Sequence, residues 1–589
     1  MSRISKYNIA VVAHVDHGKS TLCDAIIEYC ENVVIKNSGS PILDSHTIEQ
    51  KRGVTIRNHF IRLQYRDIYF NLIDTPGHYD FSQYVSVGIN SANIVLIVID
   101  IVKGIQPQTL SYMNLCIEKS VKVIIVFNKI DIYRDKIDYL REVVKAYFGD
   151  YIIVEVSAFK RINIQLLLQT IYDNLLNTSN LVNQQSKSGM YVLDCVHSHT
   201  GYSKVLVHLN KLKITVNSYF IYKSKKYKIH KIFLKKFNGY TNIDNIEDDI
   251  CYVGVNIDTS DFSNLIGSLL FNDGKIYKLC EEKMHTAYTG LLSPLKDDIK
   301  LKKAIDKCVL SDPGVNVHKR FSTLYGNTFI CAFLGEFHRE IFLERLKLET
   351  RISFNTCYVG PNYKSKSTHE SVIIDYKDKL LMTNFKKYLS NIVTPFIDLN
   401  IIFKQEYYNV VYAFIIQHSY NQIINSKFVM DHFTINIRIP FTLLLLGFFN
   451  KLKSMTNGYA EFVITKLEYV ACGLSLIEFY INNEIIYELS IIELNEMAQE
   501  VALFNLEKIK IKLERQQFLI KLMVKINRKT FKSYVIKPYR KDVTAKLYGG
   551  DVTRRNKLLN KQKAGKSKMI KYANVGNVKD NIIKTLISN

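Results

Sequence analysis

Four predominantly apolar runs punctuate the first part of the chain: Tyr7 to Val12, Ile68 to Ile73, Val121 to Phe127 and Tyr151 to Val156. Runs of this length, apolar at nearly every position, predict strands buried on both faces. Between them the pattern lengthens to a helical period, first in the stretch from Thr21 to Cys30. Residues 1 to about 180 therefore predict a doubly wound parallel α/β sheet. Lys36 to Asn58 interrupts that rhythm with a polar stretch expected to lack regular structure, and Thr178 to Ser188 predicts a linker. From Gly189 to about Gly274 short alternating segments separated by turn residues predict a small β-barrel. Residues 284 to about 358 mix strands with a helical segment, Gly335 to Leu346. A second mixed module follows from about 390 to 480, and residues 481 to 589 alternate strands and helices before turning basic.

Chemistry gathers where the apolar runs end. The first leads into Ala13-His14-Val15-Asp16-His17-Gly18-Lys19-Ser20-Thr21 and then a helix, the strand, loop and helix order of a phosphate-binding loop. Backbone N–H groups there converge on one anion. Lys19 would reach the β- and γ-phosphates, and the Ser20 hydroxyl would enter a Mg²⁺ shell. Ala13 stands where the general pattern has its first Gly, and the bland alternative is a chance Gly-Lys-Ser before an ordinary helix. The second run ends in Asp74-Thr75-Pro76-Gly77-His78, where Asp74 would hold Mg²⁺ through water and the Gly77 amide would sense the γ-phosphate. The third ends in Asn128-Lys129-Ile130-Asp131, whose carboxylate can accept from N1–H and the exocyclic amine of guanine, a pair adenine lacks. The fourth ends in Ser157-Ala158, expected to bring a backbone N–H to guanine O6. Four such motifs in order, each at the C-terminal end of a strand, predict a GTP site. The polar stretch ending at Thr55 then predicts a switch loop, with the Thr55 hydroxyl as a further Mg²⁺ ligand. His14 and His17 can also be read as an H-x-x-H metal pair, which their place inside a phosphate loop disfavours.

At 589 residues the chain exceeds one core and predicts about four or five domains. A formal charge of +24 points to a polyanionic partner, nucleic acid before acidic membrane, provided the charge is clustered rather than spread by a Lys-rich codon bias. It is clustered: eleven Lys or Arg against two Asp lie between Arg540 and Lys571. After Gly549-Gly550, a helix would lay Arg554, Arg555, Lys557, Lys561, Lys563 and Lys566 along RNA phosphates, where the bland alternative is a solvated tail. Ten Cys with no C-x-x-C pair indicate neither a zinc site nor a disulfide framework. The start MSRISKYNIA runs directly into the first strand, so no leader is expected, and the longest apolar runs are too short to span a bilayer. A cytoplasmic monomer is the expectation.

These residues resemble a known family. Ala13 to Thr21, Arg52-Gly-Val-Thr-Ile56, Asp74 to His78 and Asn128 to Asp131 look like a translational GTPase of the elongation-factor class, in which Ala13 is common. The stretch Leu547-Tyr-Gly-Gly-Asp-Val-Thr-Arg-Arg-Asn-Lys-Leu-Leu-Asn-Lys-Gln-Lys-Ala-Gly-Lys is similar to the LepA (elongation factor 4) family in particular. So are Arg515-Gln-Gln-Phe518, Lys451 to Ser454 and Gly458 to Ala460. The resemblance implies a GTP-binding domain (1–182), a β-barrel domain (187–280), two ferredoxin-like α+β domains (284–358 and 390–480) and a basic RNA-contacting domain (481–589). It also implies a ribosome-dependent GTP hydrolase that uses Mg²⁺ and contacts ribosomal RNA and tRNA. Back-translocation or a fidelity role, and peripheral association with the cytoplasmic face of the membrane, are implied in the same way. In that family His78 would orient the attacking water, with Val15 and Val54 gating its approach. Departures from the family pattern are Phe159, where Lys is usual, a less acidic Glu49 to Arg52, and Arg339. Two other readings stay open: a GTP-gated ribosome-binding protein with vestigial hydrolysis, and a membrane-surface protein using its basic end on anionic lipid.

Overall fold

A computed structural model describes residues 6–33, 47–176, 188–197, 203–237, 239–256, 265–271, 274–279, 285, 287–292, 298–322, 326–357, 363–367, 371–372, 384–417, 421–429, 432–445, 447–513, 515–545 and 551–572. The chain divides into two compact units. One holds Met1–Ala287, Asp297–Val317 and Ala332–Ile352; the other holds Tyr288–Lys296, His318–Cys331 and Ser353–Asn589.

The first unit begins with strand β1 (Lys6–Ala13) and helix α1 (Lys19–Glu31), followed by α2 (Thr47–Arg52), β2 (His59–Tyr65), β3 (Ile68–Asp74) and α3 (Ser82–Ser91). It continues through β4 (Ile94–Asp100), α4 (Pro107–Glu118), β5 (Lys122–Asn128), α5 (Ile137–Phe148), β6 (Ile152–Glu155) and α6 (Ile164–Leu176). The sheet order is β2-β3-β1-β4-β5-β6, parallel except for β2 against β3. Strand pleating sends alternate side chains to opposite layers. Ile9, Val11 and Ala13 of β1 join a core with Leu22 and Ile26 of α1 and Leu167 and Ile171 of α6. Ala10 and Val12 join Val85 of α3, Met113 of α4 and Leu140 of α5. Burial on both faces is why these strands read as continuous apolar runs, and the register sets the ends of β1, β3, β4 and β5 along one edge: Val11 faces Asp74, and Asp100 faces Asn128.

The polar stretch of Lys36 to Asn58 is not wholly irregular, as the sequence suggested. Thr47–Arg52 is a short helix, because Ile48 is buried with Ile56, Phe81, Tyr84 and Ile341, and one apolar anchor suffices to fix a turn. Residues 36–46 of that stretch, and nearly all of the expected linker, lie outside the described residues.

Strands from Gly189–His197 to Ile276–Lys278 form an antiparallel eight-stranded sheet with a small two-stranded partner. Its two ends approach each other: a Cβ on Gly274 would sit 3.1 Å from Ile221 Cγ2. Tyr222 pairs with Lys225 across Lys223 and Ser224, both at positive φ, which is the two-residue turn that matches strand twist.

Two β-α-β-β-α-β modules follow. The strands of the first, Ala287–Leu292, Asn316–Ser322, Gly326–Phe333 and Asn355–Cys357, assemble in the spatial order second, third, first, fourth. Those of the other, Ile392–Lys404, Gln422–Val429, His432–Pro440 and Glu461–Val470, repeat that order. This is the ferredoxin-like arrangement. Tyr363–Ser365 extends the second sheet ahead of residue 390.

The last sheet runs Glu484–Leu494, Leu474–Ile481, Ile520–Ile526, Lys529–Ile536, with helix Ala498–Lys512 burying Val501, Ala502, Leu506 and Ile509. The position expected for a boundary, between 480 and 481, falls near the turn of a hairpin in this sheet. Asn482 and Asn483, both at positive φ, join Leu474–Ile481 to Glu484–Leu494 by a tight turn. The chain then reaches a basic helix, Val552–Tyr572. Among the described residues no helix is long and apolar enough to cross a membrane.

Candidate functional site

The four motifs meet along the edge formed by β1, β3, β4 and β5. After β1 the chain must turn sharply, and Asp16 (φ 65) and Gly18 (φ 86) supply the left-handed conformations. Gly18 also permits a close approach: a Cβ there would fall 2.4 Å from Asn128 Nδ2. Lys19 Nζ donates to Asp74 Oδ1 and to Ser20 Oγ (3.2 Å). Ser20 Oγ lies 3.1 Å from Asp74 Oδ2 and 3.2 Å from Thr55 Oγ1. Residues up to 55 positions apart in sequence thus bring one cation, two hydroxyls and one fully buried carboxylate to a single point. An all-oxygen set of this hardness fits Mg²⁺ and not a soft metal. The H-x-x-H reading of His14 and His17 does not hold: His17 Nδ1 accepts from Asp100 N–H (3.2 Å), which ties the ring to the end of β4. Burial pushes the pKa of His17 down to about 3 and that of His14 to about 4. Among the described residues no group of three or more His, Cys, Asp or Glu side chains is placed to hold a metal.

Asn128 fastens three loops. Its Nδ2 donates to His17 O (2.9 Å), and its Oδ1 accepts from Lys129 N–H (2.9 Å) and Ala158 N–H (3.0 Å). Lys129 Nζ crosses to Asp16 O (2.9 Å) and Asp100 Oδ2 (2.8 Å). Burial would raise the pKa of Asp100, but its bond to Lys129 prevails and holds it below the usual range. Ile130 is buried, and Asp131 accepts from Ser157 Oγ (2.6 Å), which fixes its carboxylate plane. Ser157 N–H donates to Ile162 O (3.2 Å) and Ala158 N–H to Asn128, because the loop closes on itself through a Ser157 to Ile162 bridge.

Gly77 lies against the phosphate loop, its would-be Cβ 3.5 Å from Val15 Cα, and Val15 and Val54 are both half-buried. His78 is held by Asp80, whose N–H donates to Nδ1 (3.1 Å), and by Phe337, whose ring centroid lies 4.8 Å away.

Sequence reasoning missed the residues that brace these two segments. Asp80 Oδ2 accepts from His338 N–H (3.2 Å) at the start of helix Glu336–Thr350. His338 Nε2 meets Asp312 (3.1 Å), which also accepts from the buried Arg345 (3.3 Å). Lys51 and Arg52 pair with Glu344 (3.3 and 3.1 Å), so the basic departure in the switch loop has an acidic partner on that helix. Glu49, fully buried, accepts from Ile56 N–H (2.9 Å) and Arg57 N–H (3.3 Å) and pairs with His59 (3.2 Å), clamping the chain on the far side of Thr55. Its burial would raise the pKa, but the bond to His59 and the two amides hold it near about 2. The folded pKa is depressed, so this stabilisation is in force above the unfolded carboxylate range and fades as pH falls toward the folded value. Replacing Glu49 by Gln is expected to speed limited proteolysis between Thr47 and Asn58 about tenfold, from the loss of charge-assisted bonds. An unchanged cleavage rate would show that the clamp is idle.

Arg554, Arg555, Lys557, Lys561, Lys563 and Lys566 all lie on the helix Val552–Tyr572, started by Asp551, which accepts from Arg554 N–H (3.0 Å). The first five are exposed, and Lys566 reaches back to Tyr539 O. A second basic concentration was legible and overlooked: nine Lys and no acidic residue between Lys211 and Lys236.

Comparison with known proteins agrees with this geometry. A family model for the elongation factor Tu GTP-binding domain matches residues 5–177, and one for the GTP-binding protein LepA C-terminus matches 481–587. The chain is 31% identical to elongation factor 4 of Mycoplasmopsis pulmonis, over 100% of this chain and 99% of that protein. It is 29% identical to elongation factor 4 of Borrelia garinii subsp. bavariensis, over 97% of each. A solved crystal structure from Thermus thermophilus superposes with a TM-score of 0.59 at 12% identity, over 80% of this chain and 98% of that one, a likeness of fold.

Proposed function

The chain belongs to the elongation factor 4 family of translational GTPases, and from that premise we propose how its own residues carry out ribosome-dependent GTP hydrolysis. The convergence of Lys19, Ser20, Thr55 and Asp74 is the observation that supports the reading most strongly. Phosphoryl transfer to water needs positioning and charge stabilisation more than covalent chemistry. Lys19 and the loop amides from His14 to Thr21 would cradle the phosphates, and Asp131, oriented by Ser157, would select guanine. Ser20 and Thr55 would hold Mg²⁺, with Asp74 behind them; once bound, the ion neutralises charge on the phosphate oxygens. His78 would orient the attacking water, with Val15 and Val54 at its approach. Its packing on Phe337 and its bond with Asp80 place its aim under the control of the helix Glu336–Thr350.

The basic helix Val552–Tyr572 supplies the RNA contact, with tRNA and ribosomal RNA as its targets and a backward step of tRNA, or its proofreading, as the outcome. The protein would work as a monomer. The same cations would attract an anionic membrane, but Val552 and Leu559 are the helix's only large exposed apolar side chains among the described residues, too few to anchor it. Replacing Arg554, Arg555, Lys557 and Lys561 together by Gln is expected to lower the slope of log affinity for ribosomes against log salt by roughly 3, at about 0.7–0.9 per phosphate contact. An unaltered slope would place the contact elsewhere.

A further inference from the structure

The helix Glu336–Thr350 starts at Gly335, which has no side chain with which to cap it. The N–H groups of a first helical turn lack partners within the helix, and an oxygen placed at the helix start ordinarily accepts from the second or third residue. Here the donor is the N–H of His338, and the acceptor is Asp80 Oδ2 (3.2 Å), 258 positions away in sequence. The buried Asp80 carboxylate rests directly on the glycine, and a Cβ on Gly335 would coincide with it. A negative charge at this end of a helix is also the sign that the helix dipole favours. The helix start is itself anchored. His338 Nε2 meets both oxygens of the buried Asp312 (3.1 Å each), and Arg345 donates to Asp312 (3.3 Å) and to Ser311 Oγ (2.8 Å). Tyr84 of α3 donates its hydroxyl to Ser311 O (2.7 Å), so the segment after His78 is fastened at Asp80 and again at Tyr84.

The same Asp80 holds the ring of His78. Its N–H donates to His78 Nδ1 (3.1 Å), and Oδ1, the oxygen the helix does not use, lies 3.7 Å from that nitrogen. With Nδ1 accepting, the proton of the neutral ring sits on Nε2. We infer that Asp80 is a positioning residue for GTP hydrolysis: its carboxylate, serving as the missing cap of the helix Glu336–Thr350, holds the turn that aims His78. The inference rests on the reading of His78 as the group that orients the attacking water. Asp80 acts through His78, and Gly335 is the residue that lets it approach.

Asp80→Ala is expected to lower ribosome-stimulated turnover about tenfold, the loss that goes with removing a cap, while Asp80→Asn, which also caps, stays within about threefold of the parent. Affinity for GTP and the ribosome concentration giving half the maximal rate should each stay within about twofold, because a positioning group changes the rate and not the binding. Gly335→Ala puts a methyl where the carboxylate lies and is expected to cost about 10²-fold, as an ångström of misplacement does. Both losses should vanish in a chain that already carries His78→Ala. A merely structural role would lower that chain's residual turnover by the same factor again, and would weaken ribosome binding. Full turnover in Asp80→Ala or in Gly335→Ala, no recovery with Asp80→Asn, or losses that persist beside His78→Ala would each overturn the inference. His78→Ala alone tells the two failures apart. If it lowers turnover while Asp80→Ala does not, the inference alone falls; if it leaves turnover unchanged, the reading of His78 falls with it.

Discussion

Replacing His78 by alanine is expected to leave GTP affinity within about twofold of the parent while ribosome-stimulated turnover falls about 10³-fold or more, as when an activated GTPase loses a water-positioning group. The split follows from geometry. Lys19 and Ser20, which would hold phosphate, bond to each other and to Asp74, Asn128 bonds to His17 O, and Asp131, which would hold the base, accepts from Ser157. His78 instead begins the short turn Tyr79–Phe81 and rests on Phe337. Removing its ring should open a small gap at Phe337 without touching the nucleotide groups. Single-turnover hydrolysis on ribosomes, beside equilibrium nucleotide binding, checks both halves. Equal loss of binding and turnover would make His78 a structural turn residue, and unchanged turnover would remove it from the chemistry.

The second large effect concerns the base. Asp131→Asn should weaken GTP by about 10³-fold, because a site built around two charge-assisted bonds rejects a partner that no longer matches. The amide would set an N–H₂ donor against guanine's own exocyclic amine. Xanthosine triphosphate carries an oxygen at that position and should gain where GTP loses. Competition between the two nucleotides reads the switch directly. GTP affinity preserved within about threefold would show that Asp131 does not face the base.

What was legible in the sequence was local. A buried strand followed by Gly-Lys-Ser fixes its own backbone, and the motifs at Asp74 and Asn128 sit on strand ends whose order follows from the right-handed crossover rule. What was not legible depended on residues far apart. Asp80 meets His338 across 258 positions, and neither carries a motif. Glu49 stood in the sequence only as part of a less acidic stretch, and the folded chain shows its carboxylate buried against the Ile56 and Arg57 amides. The Asn482-Asn483 turn lacks the glycine that usually announces a hairpin, so the pairing of Leu474–Ile481 with Glu484–Leu494 did not show in the sequence. Lys51 and Arg52 looked like a loss of acidity, whereas Glu344 makes them half of a pair.

Nucleotide chemistry in the amino-terminal domain must answer to RNA machinery gripped elsewhere, and every role proposed for His78 and the basic helix depends on that coupling. The most direct measurement is phosphate release from GTP by the purified full-length chain, with and without ribosomes at fixed salt. Slow turnover alone and acceleration of about 10³-fold or more on adding ribosomes is the predicted result. Turnover that is absent in both conditions, or equal in both, would contradict it.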